Sequence, residues 1–289
     1  MALSPVARQM NLPQTINAEI RDAIDILAKN LQCASDAAAT HEIVLVTGWS
    51  QDAATINAIG VYLVGLLTSS IATTLQVRSS IESTDEDRLE ILENVKDLSA
   101  RNKVDERNPW IAEGLWHLCL FLSKRVRSIH PTGAVLALEQ PHIGAKDHGF
   151  DVVALYETKN GDVGVSVVEC KAYENDPNGA INSAVEFFRA FDQGKYHPRM
   201  RQVVAQMRDL LPKAKQPMVS RSLWKKHRCY VPNPHYDAKH AMDWTNHRRS
   251  FKNLSFPVVV MPHAVPKFDK FFDNVMKAML KFAKELQSV

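Results

Sequence analysis

Hydrophobic residues recur along this chain with two different periods. A period of about 3.6 residues, with apolar groups on one face, predicts amphipathic helices. It occurs at about 18–31. Further helices are predicted at about 52–76, 83–98, 179–193, 198–211 and from Pro266 to about Gln287. Asn108 and Pro109 predict the start of a further, largely buried helix reaching about Val126, because Asn is a good N-cap and proline suits the first helical position.

Short apolar runs predict the strands. They lie at about 41–46, 133–138, 150–157, 163–170 and 256–261. The segment from Thr158 to Asp162 has the composition of a hairpin turn. Residues 212–255 contain four prolines and are predicted to be irregular.

From Asn108 the predicted order is helix, three strands, two helices, an insertion, a strand and a helix. We therefore expect an α/β (α+β) fold with a mixed central sheet flanked by helices. The polar residues 100–107 predict a boundary. It would separate a mostly helical region at 1–107 from a second domain at 108–289, which carries a basic insertion at about 212–255.

Composition indicates an ordinary soluble protein, with 45% hydrophobic and 23% charged residues. The four cysteines are far apart and form no CxxC pair, which favours a reducing, cytoplasmic location over a disulfide framework. No signal peptide is expected. The uncharged stretch between Asp52 and Arg78 is diluted by Thr, Ser and Gly, so it predicts a buried helix more than a membrane span.

A pair of charged residues ends one of the hydrophobic runs. Glu169 and Lys171 close the segment that begins at Val165, where two charges are unusual. A second Glu-x-Lys copy, at Glu157 and Lys159, lies at the predicted hairpin turn, where charged side chains are normally solvated. The copy at 169–171 is therefore the candidate for chemistry.

The hairpin register decides whether Asp151 joins this pair. A type I turn over Lys159 and Asn160, with Gly161 left-handed, places Asp151 opposite Glu169, on the face that Glu169 shares with Lys171. That face would have an apolar floor of Val153, Leu155, Val165 and Val167. A two-residue turn at Asn160-Gly161 would instead pair Asp151 with Cys170 and turn Asp151 to the opposite face.

Two converging carboxylates repel each other unless a cation lies between them. Oxygen ligands that leave positions to water suit Mg²⁺ (or Mn²⁺), which polarises a phosphate and lowers the pKa of a bound water. The backbone carbonyl of Cys170 would add a ligand. Lys171 would orient the water and offset charge in the transition state.

Asp151, then Glu169-x-Lys171 on a strand hairpin preceded by a helix, resembles the PD-(D/E)xK nuclease superfamily over about residues 108–285. The resemblance implies a restriction-endonuclease-like core, metal binding by Asp151 and Glu169, and a lysine that assists the attacking water. It also implies a contribution from Glu113, the matching acid on the first core helix. Phe150 stands where the motif name has proline.

A narrower resemblance is to the nuclease subunit (HamA) of Hachiman antiphage defence. It rests on the segment 149–153, on the Ala-Tyr that follows Lys171, and on the helical N-terminal portion. It implies a helicase partner. Because the sequence has no GxxxxGK[ST] phosphate loop, ATP-driven unwinding would come from that partner.

Charge is segregated along the chain. The segment from Lys195 to Lys252 carries 14 Lys and Arg against three acids, a net +11, whereas the whole chain is +3 and the remainder is −8. This favours DNA contact, although a solvated face or a partner-docking loop stays possible. The expected contacts are Arg199, Arg201, Lys225, Lys226, Arg228, Arg248 and Arg249. Four aromatic residues are expected to stack on bases: Trp224, Tyr230, Tyr236 and Trp244.

The leading hypothesis is thus a Mg²⁺-dependent nuclease acting on DNA. A second is a catalytically silent member of the same fold that binds nucleic acid or serves as a scaffold. A third is an unrelated α/β protein in which Glu169 and Lys171 form a plain salt bridge. In that case Asp151 faces away from Glu169.

Overall fold

The computed structural model describes residues 18–38, 40–67, 85–100, 104–123, 133–139 and 150–287. The helices are α1 (Ala18–Asn30), α2 (Ala53–Leu67), α3 (Asp85–Leu98), α4 (Val104–Ser123), α5 (Pro177–Asp192), α6 (His197–Arg208), the short α7 (Arg248–Phe251) and α8 (Phe268–Gln287). The strands are β1 (Gln32–Ala37), β2 (Glu42–Thr47), β3 (Val135–Leu138), β4 (Val152–Glu157), β5 (Val163–Ala172), β6 (Arg228–Asp237), β7 (Val259–Val260) and β8 (His263–Val265).

The strands form one mixed sheet in the order β1-β2-β8-β6-β5-β4-β3, and β7 also pairs with β2. The pairs β1–β2, β3–β4 and β4–β5 are antiparallel, whereas β5–β6, β6–β8 and β2–β8 are parallel. The fold is therefore mixed α/β, with a mixed sheet flanked by helices.

Each face of the sheet has its own hydrophobic core, because alternate strand residues point to opposite sides. Val168 and Cys170 belong to a core shared with α1, α2, α3, α4 and α8. Val165 and Val167 belong to the other core, which α5 and α6 cover. The first of these faces is called the α4 face below, and the second the α5 face.

Elements on both sides of residue 107 belong to the same sheet and the same core. β2 pairs with β7 and β8, and α2 packs on α8. The approach of these two helices is close: a Cβ added at Gly60 would lie 2.6 Å from the Cβ of Ala278. The boundary expected near residue 107 therefore does not coincide with a break in the packing of the described residues.

Helix α4 begins at Val104, four residues before the predicted N-cap Asn108. Pro109 thus lies inside the helix, but so near its start that the missing N–H removes one intrahelical bond, to the carbonyl of residue 105. Asp105 and Glu106 lie in the first turn, and acidic side chains favour helix N-termini. The predicted end near Val126 falls outside the described residues.

The segment expected to be an irregular insertion, 212–255, contains the central strand β6. The sequence did not predict this strand because it contains Pro232 and Pro234, and proline cannot donate a hydrogen bond to a neighbouring strand. Tyr230 N donates to Pro257 O on the side away from β5, so the absent N–H groups at 232 and 234 would face that same side. There β6 meets only the short strands β7 and β8, whereas its ladder with β5 is continuous over eight residue pairs.

Two further findings concern the N-terminal region. β1 was not predicted, because its sequence QCASDA has no apolar alternation. The described part of the uncharged stretch is α2, which ends at Leu67, and no helix within the described residues is long and apolar enough to cross a membrane.

Candidate active site

The hairpin between β4 and β5 has the three-residue loop Lys159-Asn160-Gly161. Gly161 N donates to Thr158 O at 2.9 Å, and Thr158 N donates to Asp162 O at 2.9 Å. Gly161 has a φ of +80°, the left-handed conformation that glycine adopts without steric cost. The predicted turn is confirmed, and the two-residue turn at Asn160-Gly161 is excluded.

This turn fixes the strand register. Val152 pairs with Val168 and Val153 with Val167, so one further step places Asp151 opposite Glu169. The Asp151 side chain extends towards β5, where Cys170 N donates to Asp151 Oδ2 at 2.5 Å. The register predicted from the sequence is confirmed, and Asp151 does not face away from Glu169 as an unrelated fold would require.

Asp151, Glu169 and Lys171 are called the trio below. Glu169 and Lys171 lie on the α5 face of the sheet, because they follow Val167 at alternate positions along β5, and Asp151 lies at the bend that precedes β4. The predicted apolar floor is present on the α5 face, because Val153, Leu155, Val165 and Val167 all belong to the core of that face. Within the trio, Lys171 Nζ donates to Glu169 Oε1 at 2.5 Å. The trio therefore combines two carboxylates and one ammonium group over a hydrophobic base.

Glu169 is the most buried carboxylate of the trio, with 6% of its surface exposed. Burial, and then the charge of Asp151, raise its pKa to about 8, although Lys171 opposes the shift. Its Oε2 atom is buried without a hydrogen-bond partner among the described residues. Burial alone would lower the pKa of Lys171, but Glu169 and Asp151 together raise it, so Lys171 stays protonated.

Glu113 lies on α4, and the charges of all three members of the trio act on its carboxyl group. Burial raises its pKa well above the ordinary value, and the charges of Asp151 and Glu169 raise it further. Because Asp151 immediately precedes β4, the site lies where that strand begins. Glu113 therefore adds a third acidic group to the electrostatic environment of the trio.

The side chains here offer carboxylate oxygens, the ligand type that a divalent cation prefers. The charges of Asp151, Glu169 and Lys171 act on Glu113, and Glu169 Oε2 is buried without a hydrogen-bond partner among the described residues. Within the described part of the chain, no three His, Cys, Asp or Glu side chains stand ready as a coordination shell. A cation would thus rely on backbone oxygen and water as well as on carboxylates.

Sequence reasoning did not single out Glu139, which directly follows β3. Its backbone N donates to Val153 O at 2.9 Å, so it lies beside β4, the strand that Asp151 immediately precedes. Burial raises its pKa to about 7, while the positive charge of Arg199 on α6 opposes the shift. The available signal was an acid at the end of an apolar strand, the same signal that singled out Glu169.

Arg228 was expected to contact DNA, and this expectation is wrong. It is 6% exposed, forms an ion pair with Asp192, and donates to Trp224 O at 3.0 Å. Its guanidinium also lies 3.9 Å from the ring centroid of Phe256. Arg228 is the first residue of the central strand β6, and its guanidinium contacts groups inside the protein.

The four aromatic residues expected to stack on bases are buried as well. Trp224 and Tyr230 are 0% exposed, Tyr236 is 4% and Trp244 is 7%. Tyr230 stacks on Phe188 with ring centroids 4.6 Å apart. These residues form the core of the α5 face, because the segment thought to be an insertion contributes a central strand.

The other expected DNA contacts for which a side chain is described are on the surface. They are Arg199, Arg201, Lys225, Lys226 and Arg249. The side chain of Arg248 lies outside the described part of the structure. Burial lowers the pKa of His197, and the positive charges of Lys225, Arg228 and Arg201 lower it further.

Comparison with known proteins adds no assignment. No family model matches this chain, and no curated protein matches it. Function is therefore inferred from the residues of this chain.

Proposed function

We propose that this protein is a metal-dependent nuclease that hydrolyses DNA phosphodiester bonds. The observation that carries the proposal is the register of the β4–β5 hairpin. It brings Asp151 opposite Glu169, whose carboxylate accepts a hydrogen bond from Lys171. Paired carboxylates next to an ammonium group are suited to binding a divalent cation and activating water.

Asp151, Glu169 and the backbone carbonyl of Cys170 would hold Mg²⁺ (or Mn²⁺), with Glu113 as a further acidic ligand. When bound, the ion supplies charge for the phosphate and a more acidic water. Lys171 is protonated, because the neighbouring carboxylates raise its pKa, so it acts as a hydrogen-bond donor. It orients the attacking water and offsets negative charge as the phosphorus gains a fifth oxygen.

The element order supports a restriction-endonuclease-like core. Helix α4 is followed by the antiparallel strands β3, β4 and β5, then by α5 and α6, and then by β6 parallel to β5. The order up to α6 is the one predicted from the sequence, whereas β6 lies in the segment that was predicted to be an insertion. The trio lies at the hairpin that such a core uses for its site.

Exposed cations provide a surface for the DNA backbone. Arg199 lies close enough to Glu139 to act on its pKa, and Glu139 borders β4, the strand that Asp151 immediately precedes. Arg201 and Lys225 extend the positive charge around His197. Contacts of this kind give salt-dependent binding without sequence preference.

The narrower resemblance implies a role in antiphage defence beside a helicase partner, and we include this role in the proposal. A partner is needed for ATP-driven unwinding, because the sequence carries no phosphate loop of the GxxxxGK[ST] type. A complex with an ATPase subunit, and DNA as substrate, are therefore part of the proposal.

A catalytically silent subunit of the same fold is the second candidate. Lys171 and Glu169 are in direct contact, and the described side chains present no complete three-residue metal shell. Such a protein would bind DNA through its exposed cations and cut nothing.

A cleavage assay separates the two candidates. The full chain is incubated with linear, nicked and single-stranded DNA in Mg²⁺ or Mn²⁺, beside Glu169→Ala and Lys171→Ala. We expect cleavage by the wild type and its loss in both variants. The chain offers a matched control in its second Glu-x-Lys copy: Glu157→Ala and Lys159→Ala should cut normally. Equal cleavage by all five proteins would overturn the assignment, and binding without cleavage by the wild type would favour the silent subunit.

A further inference from the structure

Exposure to solvent rises step by step along the α5 face of β5 and just beyond its end. Val167 is 0% exposed and Glu169 is 6% exposed. The side chain of Lys171 is 24% exposed, and Tyr173 is 40% exposed. These residues occupy alternate positions, which share a face of the sheet. This face therefore leaves the core towards Tyr173, and the open side of the trio is the side on which that tyrosine lies.

The backbone that carries Tyr173 is fixed. Tyr173 N donates to His235 O at 3.0 Å, which continues the hydrogen bonds between β5 and β6 past the end of β5. The next residue is tethered as well, since Glu174 O accepts from Asp237 N at 3.1 Å and the Glu174 carboxylate pairs with Lys239 at 3.0 Å. The sheet thus sets the direction of the Tyr173 side chain before any ligand arrives, and this preorganisation favours binding.

The Tyr173 ring is free of protein contacts. Within the described part of the chain, its side chain has no hydrogen bond and no contact with another ring. It is also the one exposed aromatic residue of that part, whereas Trp224 and Tyr230, which were expected to stack on bases, are buried. Single exposed apolar residues are ordinary on protein surfaces, but this one lies beside the trio on a fixed backbone.

An unpaired nucleobase matches this ring in shape and chemistry. Bases stack on aromatic side chains without regard to sequence, because every base has a flat π surface. Lys171 and Tyr173 are about 6.6 Å apart along the strand, so a phosphate at the lysine leaves the base of the adjoining nucleotide within reach of the tyrosine. Within a duplex, the flat surfaces of each base are covered by its neighbours, so this contact requires a single strand.

We propose that Tyr173 stacks on the unpaired base next to the scissile phosphate and so directs the site to single-stranded DNA. The inference rests on the proposed function, whose substrate it narrows. Tyr173 is a specificity-determining residue here: it holds the nucleotide beside Lys171 and takes no part in the bond changes at phosphorus.

Equilibrium binding in EDTA tests this role without cleavage. The full chain is titrated with three labelled DNAs: a thymidine strand, a copy with the same phosphates but abasic sugars throughout, and a duplex. We expect the wild type to bind the thymidine strand about tenfold more tightly than the abasic copy. Tyr173→Ala should lose most of that preference, and its affinity for the abasic copy and the duplex should be unchanged, which also shows that it folds.

Two further variants serve as controls. Tyr173→Phe keeps the ring and should keep the wild-type preference, and so should Leu89→Ala, which shortens an exposed apolar residue of α3. A Tyr173→Ala variant that retains the full preference, or that weakens on all three DNAs alike, refutes the stacking role.

The nuclease assignment is judged separately, by cleavage in Mg²⁺. A wild type that cuts DNA while Tyr173→Ala keeps the full preference for the thymidine strand overturns this inference alone. A wild type that shows the expected preference but cuts nothing overturns the nuclease and leaves Tyr173 as a base-stacking residue of a silent subunit. A wild type that binds none of the three DNAs removes both.

Discussion

At the scale of single residues, burial decides what each charged side chain does. Arg228 and Lys226 are two positions apart in the basic segment 195–252. The sequence alone predicts the same role for both, contact with DNA. Arg228 points into the core and pairs with Asp192, whereas Lys226 is exposed to solvent. One is a structural residue and the other is available to a phosphate backbone.

Substitution separates these roles. Arg228→Met leaves Asp192 without its buried cation, and breaking such a pair costs about 3 kcal/mol of unfolding free energy. Its DNA affinity per folded molecule should be unchanged. Lys226→Ala should leave the urea midpoint unchanged and weaken DNA binding with a reduced salt dependence. A fully stable Arg228→Met with poor DNA binding would contradict this division.

The trio could be predicted from the sequence because the turn that sets the register of β4 and β5 could be predicted. Asp151, Glu169 and Lys171 were singled out by residue type and by the hydrophobic runs around them. Glu139 was missed because one acid after a four-residue strand has no motif to mark it. Its position beside β4 depends on the β3–β4 pairing, which contains a register shift between Val135 and Ala137.

At the scale of elements, the β4–β5 hairpin positions the site. One glycine in its loop adopts a left-handed conformation, and the register depends on that turn. A Cβ at Gly161 would meet only the Glu157 side chain, at 4.0 Å, so space is not the constraint there. The constraint is the backbone conformation itself.

Gly161→Ala should therefore lower the unfolding free energy by about 1–2 kcal/mol through backbone strain. Gly161→Asn should lower the unfolding free energy by a smaller amount, because Asn tolerates the left-handed region. Urea unfolding of the two variants measures the difference. An alanine variant as stable as the wild type, or less harmful than the asparagine variant, would show that the turn does not need this conformation.

Strands β4 and β5 were predicted because their apolar runs are bounded by recognisable turn chemistry. β6 was not, since two prolines and several polar residues broke its hydrophobic pattern. Its stability comes from the ladder with β5 and from burial on both faces, which are tertiary effects. The start of α4 was misplaced for a similar reason, because Pro109 is tolerated one turn into the helix.

At the scale of the whole molecule, one sheet joins the N-terminal and C-terminal parts, and its α4 face buries neutral histidines. His235 on β6 and His263 on β8 are 0% exposed, with ring centroids 4.3 Å apart. Burial lowers the pKa of His235 to about 3 and that of His263 well below its ordinary value. Their four ring nitrogens have no hydrogen-bond partner among the described residues.

These histidines should make stability depend on pH. The unfolded chain gains protons on them below about pH 6.5, whereas the folded protein does not, so stability is lost as the pH falls from there. Each contributes a slope of about 1.4 kcal/mol per pH unit. Buried acids such as Glu169 act in the opposite direction, so the histidine contribution is read as a difference between variants.

His263→Phe keeps an aromatic ring beside Trp49 and removes one titrating group. Urea unfolding between pH 4 and pH 7 should show a shallower loss of stability on acidification in this variant than in the wild type. Parallel pH profiles for the two proteins would mean that His263 is not held neutral in the folded state.

The central claim is that the hairpin register makes Asp151 and Glu169 a site for a divalent cation. The most direct test measures Mn²⁺ binding to the full chain by electron paramagnetic resonance in the absence of DNA. We expect binding by the wild type and by the matched control Glu157→Gln, displaced by excess Mg²⁺. Asp151→Asn and Glu169→Gln should lose that binding. Equal Mn²⁺ binding by all four proteins, or none by the wild type, would contradict the account.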